Sequence, residues 1–375
     1  MKKTLVSLVA TVAILAAPTA QAGVDFESAG PGPHFASENV EWVTNMPFAI
    51  DSSGANFVGD YMYITTSRDL TIYDISQPES PQRMGFLVLP QQPYFAEEDV
   101  DTNGKILLIG TYPDDLYVID VEDKSNPVVI GQVGGADQHT WTCVLDCTWA
   151  YGSEGLIADL RQPEAPKIVG SWGDGMPAQS GHDVTEVAPG LIVTSSTPIM
   201  YLDARKNPAK PKLIGLGTPP DGQYMHGNLW PRGGKDKFLL AGGESSGPAC
   251  DESGGSALFM TYDATKVKKT GTFNLIDTFN VENGNPTEGD AAADLYCAHW
   301  FDTHPTYRNG GLVAMAWYEH GTRFLQVDKK GQIKEVGWFL PIAGSTSATY
   351  WINDEILYSV DYNRGIDILR YTGKA

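Results

Sequence analysis

The strongest constraint on the fold is a short segment that recurs six times along the chain. Each copy has an apolar pair, which is followed in most copies by a Tyr, Val or Leu and then by an aspartate. Similarity repeated at a roughly fixed interval is typical of proteins built from like structural units. We therefore expect one array of repeats. The copies are LTIYDIS (70–76), LYVIDVE (116–122), LIADLRQ (156–162), IMYLDAR (199–205), FMTYDAT (259–265) and RFLQVDK (323–329).

A turn and a further strand follow each copy. The aspartate carboxylate can accept backbone N–H bonds in such a turn, and a glycine follows 8 to 12 residues later. This near-constant spacing indicates a fixed strand register, so we assign these aspartates a structural role and no catalytic one. The aspartates are Asp74, Asp120, Asp159, Asp203, Asp263 and Asp328, and the glycines are Gly85, Gly131, Gly170, Gly215, Gly271 and Gly337.

Two more strand patterns precede each copy, for example HDVTEV (182–187) and LIVTSS (191–196). Each repeat thus has four strands, A to D, over roughly 40 residues, which is the size of a propeller blade. A seventh, partial repeat at 348–371 has no strand D, and NVEWVTN (39–45) can supply it. We predict an all-β fold: a single seven-bladed β-propeller over residues 38–375, with its last blade closed by the N-terminal strand 39–45.

The first 22 residues have the features of a secretory signal peptide. A basic start precedes an apolar run at 5–17 that is too short to span a bilayer, and small residues favour cleavage after Ala22. We expect a periplasmic or secreted monomer with a flexible arm at 23–37 and no membrane span. The net charge of -20 excludes nucleic acid as an expected partner.

The strand C cores, above all LYVIDV (116–121), resemble the repeats of the LVIVD-repeat family of exported bacterial proteins. The resemblance covers about residues 56–373. It implies a β-propeller and no single activity. A looser architectural similarity extends to selenium-binding-type methanethiol oxidases and carotenoid oxygenases, which are propellers with metal-binding histidines near the axis. No motif of those enzymes is matched, so no residue role is carried over.

Four histidines fall at the same stage of four consecutive repeats. HTWTCV (139–144) aligns with HDVTEV (182–187), and two later histidines open comparable strands. Strand A is the innermost strand of a blade, so all four are expected at the top inner rim of blades 3 to 6. Converging neutral imidazoles bind a transition metal such as copper, iron or zinc. The alternative is a polar channel lining without metal. The predicted ligands are His139, His182, His226 and His299.

Several other residues are candidates for the same face. Glu98 takes the equivalent position in blade 2, as a fifth ligand, a hydrogen-bond partner of a histidine or a general base. Tyr318, His320 and Arg323 belong to the B–C loop of blade 6 and are expected to line the cavity mouth as catalytic residues, although an ion pair is an equal alternative for Arg323. His304 lies either on the other side of its strand or farther down the channel.

The four cysteines are expected to form two disulfides in an oxidising compartment. Cys143 and Cys147 are close enough to staple a hairpin, which leaves Cys250 and Cys297 as the second pair. Four cysteines allow three pairings, and this one rests on the predicted fold. Blade 5 has two long insertions, at 244–256 and 280–298. Both are expected on the histidine face, and the second disulfide would join them.

The preferred functional hypothesis is an exported metal-dependent oxidoreductase acting on a small molecule. Motifs of a nucleophile elbow, a phosphate-binding loop, a zinc protease and a haem attachment site are absent from the sequence. Copper or iron with O₂ chemistry rests on architectural analogy, and an open metal position also permits Lewis-acid catalysis. The alternatives are a non-enzymatic scaffold that binds protein or glycan, and a metal-independent lyase that uses His320, Tyr318 and Arg323.

Overall fold

A computed structural model describes residues 33–52, 54–67, 69–88, 100–111, 115–136, 138–221, 223–244, 257–281 and 297–375. The described residues form short antiparallel strands and a few helical turns, so the predicted all-β class is confirmed. Consecutive strands pair in groups of four, and each such group is called a unit below. No helix in the described ranges is long and apolar enough to cross a membrane.

The first three units follow one another in chain order after two N-terminal strands and a 3-10 turn (Pro47–Ala49). The N-terminal strands are β1 (His34–Ala36) and β2 (Val40–Met46). The first unit has β3 (Ala55–Val58), β4 (Tyr61–Thr65), β5 (Asp69–Asp74) and β6 (Gln82–Val88). The second has β7 (Asp101–Thr102), β8 (Ile106–Thr111), β9 (Asp115–Asp120) and β10 (Val128–Gly134). The third has β11 (Trp141–Val144), β12 (Trp149–Gly152), β13 (Leu156–Asp159) and β14 (Lys167–Ser171).

The fourth and fifth units share one eight-stranded sheet because β18 and β22 form a short parallel contact of two residue pairs. The fourth unit has β15 (Asp183–Ala188), β16 (Leu191–Ser195), β17 (Ile199–Asp203) and β18 (Lys212–Gly217). The fifth has β19 (Tyr224–Leu229), α1 (Pro231–Gly234), β20 (Phe238–Glu244), β21 (Phe259–Asp263), α2 (Val267–Thr270) and β22 (Thr272–Phe279).

The N-terminal strands pair with the last two sheets. The sixth unit has β23 (Phe301–Thr303), β24 (Gly311–Ala316), β25 (Thr322–Val327) and β26 (Ile333–Pro341). The final strands are β27 (Thr346–Trp351), β28 (Ile356–Asp361) and β29 (Gly365–Tyr371). Strand β2 pairs antiparallel with β29 and makes this sheet four-stranded. Strand β1 pairs with β26. Residues 34–36, expected in a flexible arm, thus form a strand instead, and the His34 ring packs 5.0 Å from the Phe339 ring.

The hydrophobic core lies between neighbouring units. Leu107 of β8 packs with Tyr63 and Ile72 of the first unit, whereas the next residue, Leu108, packs with Trp141 of the third. This alternation is the two-residue period of a strand buried on both faces. The first unit also packs on the last sheet, where Met62 joins Tyr358 and Ile368 in one cluster. The packing therefore closes into a ring.

The recurring aspartates close the turn after the third strand of their units. In all six copies the carboxylate Oδ1 accepts the backbone N–H of the residue two positions later, with N···O distances of 2.7–3.1 Å. This is the local side-chain to backbone bond expected of aspartate in a turn. The structural role predicted for these residues is therefore present in the fold.

Two of the recurring glycines, Gly85 and Gly131, lie where one unit touches the turn of the next. A Cβ atom on Gly131 would lie 2.0 Å from the carbonyl oxygen of Pro163, and one on Gly85 would lie 2.1 Å from that of Lys124. A shift in strand register accompanies both glycines, as expected of a bulge. The nearly constant Asp-to-Gly spacing thus places a residue without a side chain where the strand approaches the neighbouring turn.

Candidate metal centre

The four histidines lie where the first strands of four consecutive units begin. His139 and His299 each lie two residues before their strands, and His182 directly precedes β15. His226 lies inside β19, at a register shift between Met225 and Gly227. Such bulges re-aim a side chain and are frequent beside functional sites.

The imidazole rings of these histidines form a continuous row. Ring centroids are 4.6 Å apart for His139 and His182, 3.9 Å for His182 and His226, and 3.9 Å for His226 and His299. His226 and His299 are fully buried, and 7% of the surface of His182 is exposed. The Nδ1 atom of His299 also contacts the backbone carbonyl of Ser347, which fixes that ring. Equivalent positions in adjacent units thus bring four imidazoles into contact.

A carboxylate that the sequence did not single out completes the row. Glu244 ends β20, and its Oε2 lies 3.6 Å from Nε2 of His182. Each of the residues His182, His226 and Glu244 offers one ligand atom, and these atoms lie within 4.8 Å of one another. Two imidazoles and one carboxylate are a common donor set for zinc and other first-row metals. In the sequence, Glu244 stands at the end of an apolar strand, directly before a long insertion. This position is the sequence feature that could have indicated a site residue.

Tyr318 lies against both parts of this cluster. Its hydroxyl donates to Oε1 of Glu244 at 3.0 Å, and its ring centroid is 4.6 Å from that of His299. The backbone φ of Tyr318 is +41°, which is uncommon for a residue other than glycine. An isolated β-bridge to Thr346 holds it in place. Tyr318 therefore orients the carboxylate that faces the histidines.

His320 and Arg323 form a second group near Tyr318 in the chain. Burial, together with the positive charge of Arg323, lowers the pKa of His320 to about 3, so its imidazole is neutral at physiological pH. The Arg323 guanidinium lies 3.4 Å from the carboxylate of Glu335 on the neighbouring strand. The ion pair that the sequence offers as one alternative for Arg323 is therefore present. Glu335 engages one side of the guanidinium.

His304 lies at the far end of the inner strand β23. Its Nε2 is 2.9 Å from the carbonyl oxygen of Asp354, and its Nδ1 is 2.8 Å from the hydroxyl of Thr306. Both ring nitrogens are thus engaged in hydrogen bonds, one with the nearby Thr306 and one with a turn of the last sheet. His304 therefore anchors a turn and does not extend the row of imidazoles.

The remaining predicted site residues are the four cysteines and Glu98. Cys143 and Cys147 form a disulfide across the turn between β11 and β12, so this pair is confirmed. Cys297 is buried and disulfide-bonded. Cys250 and Glu98 lie outside the described residues.

Comparison with known proteins bears on the repeats and the fold. The LVIVD repeat matches at residues 54–87 and 98–134. The chain therefore contains LVIVD repeats. A search of curated proteins gives no significant match.

Solved structures extend the comparison to most of the chain. The β-propeller domain of Cps50 (Swd1) from Myceliophteria thermophila superposes with a TM-score of 0.61 at 13% identity, covering 86% of this chain and 97% of that one. At this identity the likeness shows the β-propeller fold alone. Because 1057 solved chains match, the fold by itself singles out no activity.

Proposed function

We propose that this LVIVD-repeat protein is an exported, seven-bladed propeller that binds a transition metal through His182, His226 and Glu244. The observation that carries the proposal is the convergence of these three side chains, whose ligand atoms lie within 4.8 Å of one another. Ligands at 2.0–2.2 Å from one tetrahedral ion lie about 3.3–3.6 Å apart. Side-chain shifts of up to about an ångström would therefore let the three residues share an ion.

The neighbouring histidines complete the proposed coordination. His139 and His299 flank the cluster in the same row of ring contacts. Either imidazole can serve as a further ligand, or its N–H can position a ligand by hydrogen bonding. The hydroxyl of Tyr318 already holds Glu244 in this way. A bound copper, iron or zinc ion would supply redox or Lewis-acid chemistry toward a small molecule at this site.

Seven blades account for the pairing of the strands. The eight-stranded sheet consists of two four-stranded units that meet over only two parallel residue pairs, so we count it as two blades. With the five other sheets this gives seven. Strand β2 then supplies the outer strand of the last blade. The disulfide between Cys143 and Cys147 supports export to an oxidising compartment.

Metal analysis of protein purified without a His-tag tests the proposal. We expect about one equivalent of copper, iron or zinc in the native protein, or after reconstitution of metal-free protein. His226→Ala and Glu244→Gln should each lose most of it. His304→Ala is the matched control, because His304 is a buried histidine that bonds a turn instead. Less than about 0.2 equivalents of every metal, before and after reconstitution, would refute the proposal.

A further inference from the structure

A groove lined by lysines lies at the opposite end of the fifth unit from the histidines. Strand β20 connects the two regions, since Lys237 directly precedes it and Glu244 ends it. Its seven residues in extended conformation separate them by about 20 Å. The open groove has a volume of about 870 Å³ and is also lined by Trp230 and Asn309. Its lysines are Lys235, Lys237, Lys266, Lys268, Lys269 and Lys329.

The lysines form a local positive region on a chain whose net charge is -20. All except Lys237 are exposed. In the described part of the chain, none of the six ammonium groups forms an ion pair with a carboxylate. Lys237 and Lys329 instead donate to backbone carbonyl oxygens. These bonds hold two positive charges in place without neutralising them.

The acidic residues of the same region are committed to the backbone. Asp236 is buried, and its two carboxylate oxygens accept the N–H groups of Phe238 and Asn309. Asp263 accepts the N–H of Thr265 in the repeated turn. The groove therefore presents ammonium groups while its carboxylates face inward or close a turn.

We propose that this groove binds a compact polyanion that carries phosphate or sulfate groups. Lysine ammonium groups on flexible stems bind such oxyanions as point charges. At physiological ionic strength charges attract over only about 8 Å, so the distant acidic surface contributes little to the field that a small ligand meets inside the groove. A nucleic acid or a flat anionic membrane would also approach the acidic remainder of the surface and be repelled. The size of the groove and the charge around it thus favour a compact ligand.

Calorimetric titration with inorganic tripolyphosphate and with sucrose octasulfate tests this proposal at an ionic strength of about 0.15 M. We expect saturable binding of at least one of them. The variant carrying Lys266→Gln, Lys268→Gln and Lys269→Gln should bind at least about tenfold more weakly. Its metal content should remain unchanged, because the groove lies far from the histidines.

A triple variant with the same change in net charge is the control. Lys105, Lys167 and Lys206 are exposed lysines of earlier units that do not line the groove, and their replacement by Gln should reduce affinity less than about twofold. An equal loss in both triple variants would overturn the proposal, as would the absence of binding by both probes at millimolar concentration. Binding to phosphatidylglycerol vesicles or duplex DNA in place of the two probes would also overturn it.

Discussion

The outer turns of the units and the inner strands near the axis use aspartate in opposite ways. Asp203 in an outer turn bonds within its own turn, where hydrogen bonds from the Arg205 side chain, above all, lower its pKa to about 2. Asp302 lies on the inner strand β23 and bonds the N–H of Trp351 in the next unit. Although part of Asp302 remains accessible, the surrounding protein desolvates its carboxylate and raises its pKa to about 6.

The inner arrangement recurs in the second unit. Asp101 accepts the N–H of Cys143 in the third unit, and desolvation likewise raises its pKa to about 6. Asp203 is thus satisfied locally and kept ionised, whereas Asp101 and Asp302 each link two units and are disfavoured as anions. The difference teaches that local turn chemistry builds each unit, while the centre depends on contacts between units.

Gly131→Ala should give the largest effect and test the outer turns. The added Cβ would lie 2.0 Å from the backbone carbonyl oxygen of Pro163, so strand or turn must move. We expect a loss of about 2–3 kcal/mol in the free energy of unfolding, measured by urea denaturation.

Gly170→Ala is the matched control for this substitution. Gly170 holds the same place in the next repeat, but its added Cβ would lie 3.1 Å from the carbonyl oxygen of Ala209. Its loss should be below about 1 kcal/mol, since alanine also gains up to this amount over glycine within a strand. Equal losses at the two glycines would show that close approach to the next turn does not explain the repeated glycine.

Asp302→Asn should change the pH dependence of stability at the centre. The unfolded carboxyl ionises near its ordinary pKa of 3.8, whereas the folded one holds its proton up to about pH 6. The folded state thus binds more protons in this window, and the wild type loses stability as the pH rises from 4 to 7. Relative to the variant, we expect the free energy of unfolding of the wild type to decline by about 1–3 kcal/mol between pH 4 and pH 7.

Urea denaturation at several pH values measures this decline. The asparagine keeps only one acceptor oxygen for the N–H groups of Thr303 and Trp351, but the loss of one hydrogen bond does not itself depend on pH and leaves the slope unaffected. Parallel stability curves for the wild type and Asp302→Asn would contradict the raised pKa.

Glu244→Gln should weaken metal binding while leaving the fold intact. The amide keeps an oxygen that can accept from Tyr318 but loses the negative charge beside His182. Loss of a supporting residue around a metal typically costs 10–100-fold in affinity, so loss of a ligand should cost at least about tenfold. Competition with a coloured chelator measures the affinity. Glu41→Gln is the control, because Glu41 pairs with Arg370 at the surface, and an equal loss there would remove Glu244 from the site.

The fold could be predicted from the sequence because its determinants are local. The aspartate of each repeat bonds two residues ahead, and the glycine recurs at a nearly constant distance, so both leave a periodic pattern. The strand at His34–Ala36 left no such pattern. It forms by pairing with the edge strand β26, which is distant in the sequence, and the arm was expected to be flexible.

The candidate site was accessible from the sequence only in part. The histidines recur at one stage of the repeat, and the ring contacts from His139 to His299 follow from that stage. Glu244 lies outside the recurring Asp-to-Gly segment and reaches His182 across a boundary between units. Arg323 is committed to Glu335 by pairing of adjacent strands. Such contacts depend on how units pack, so no sequence period reveals them.

Asp203→Asn should give the smallest effect and the opposite pH dependence to Asp302→Asn. The pKa of Asp203 is lowered from 3.8 to about 2, mainly by the Arg205 side chain, so its contribution is full above about pH 4 and is lost as the pH falls toward 2. The carboxylate is partly exposed, which limits the ion pair to less than about 1 kcal/mol. Thermal unfolding from pH 5 to pH 2 should show the wild type slightly more stable at pH 5, with the difference shrinking on acidification. A difference that grows toward pH 2 would show that the outer and inner aspartates do not differ in the sign of their pKa shifts.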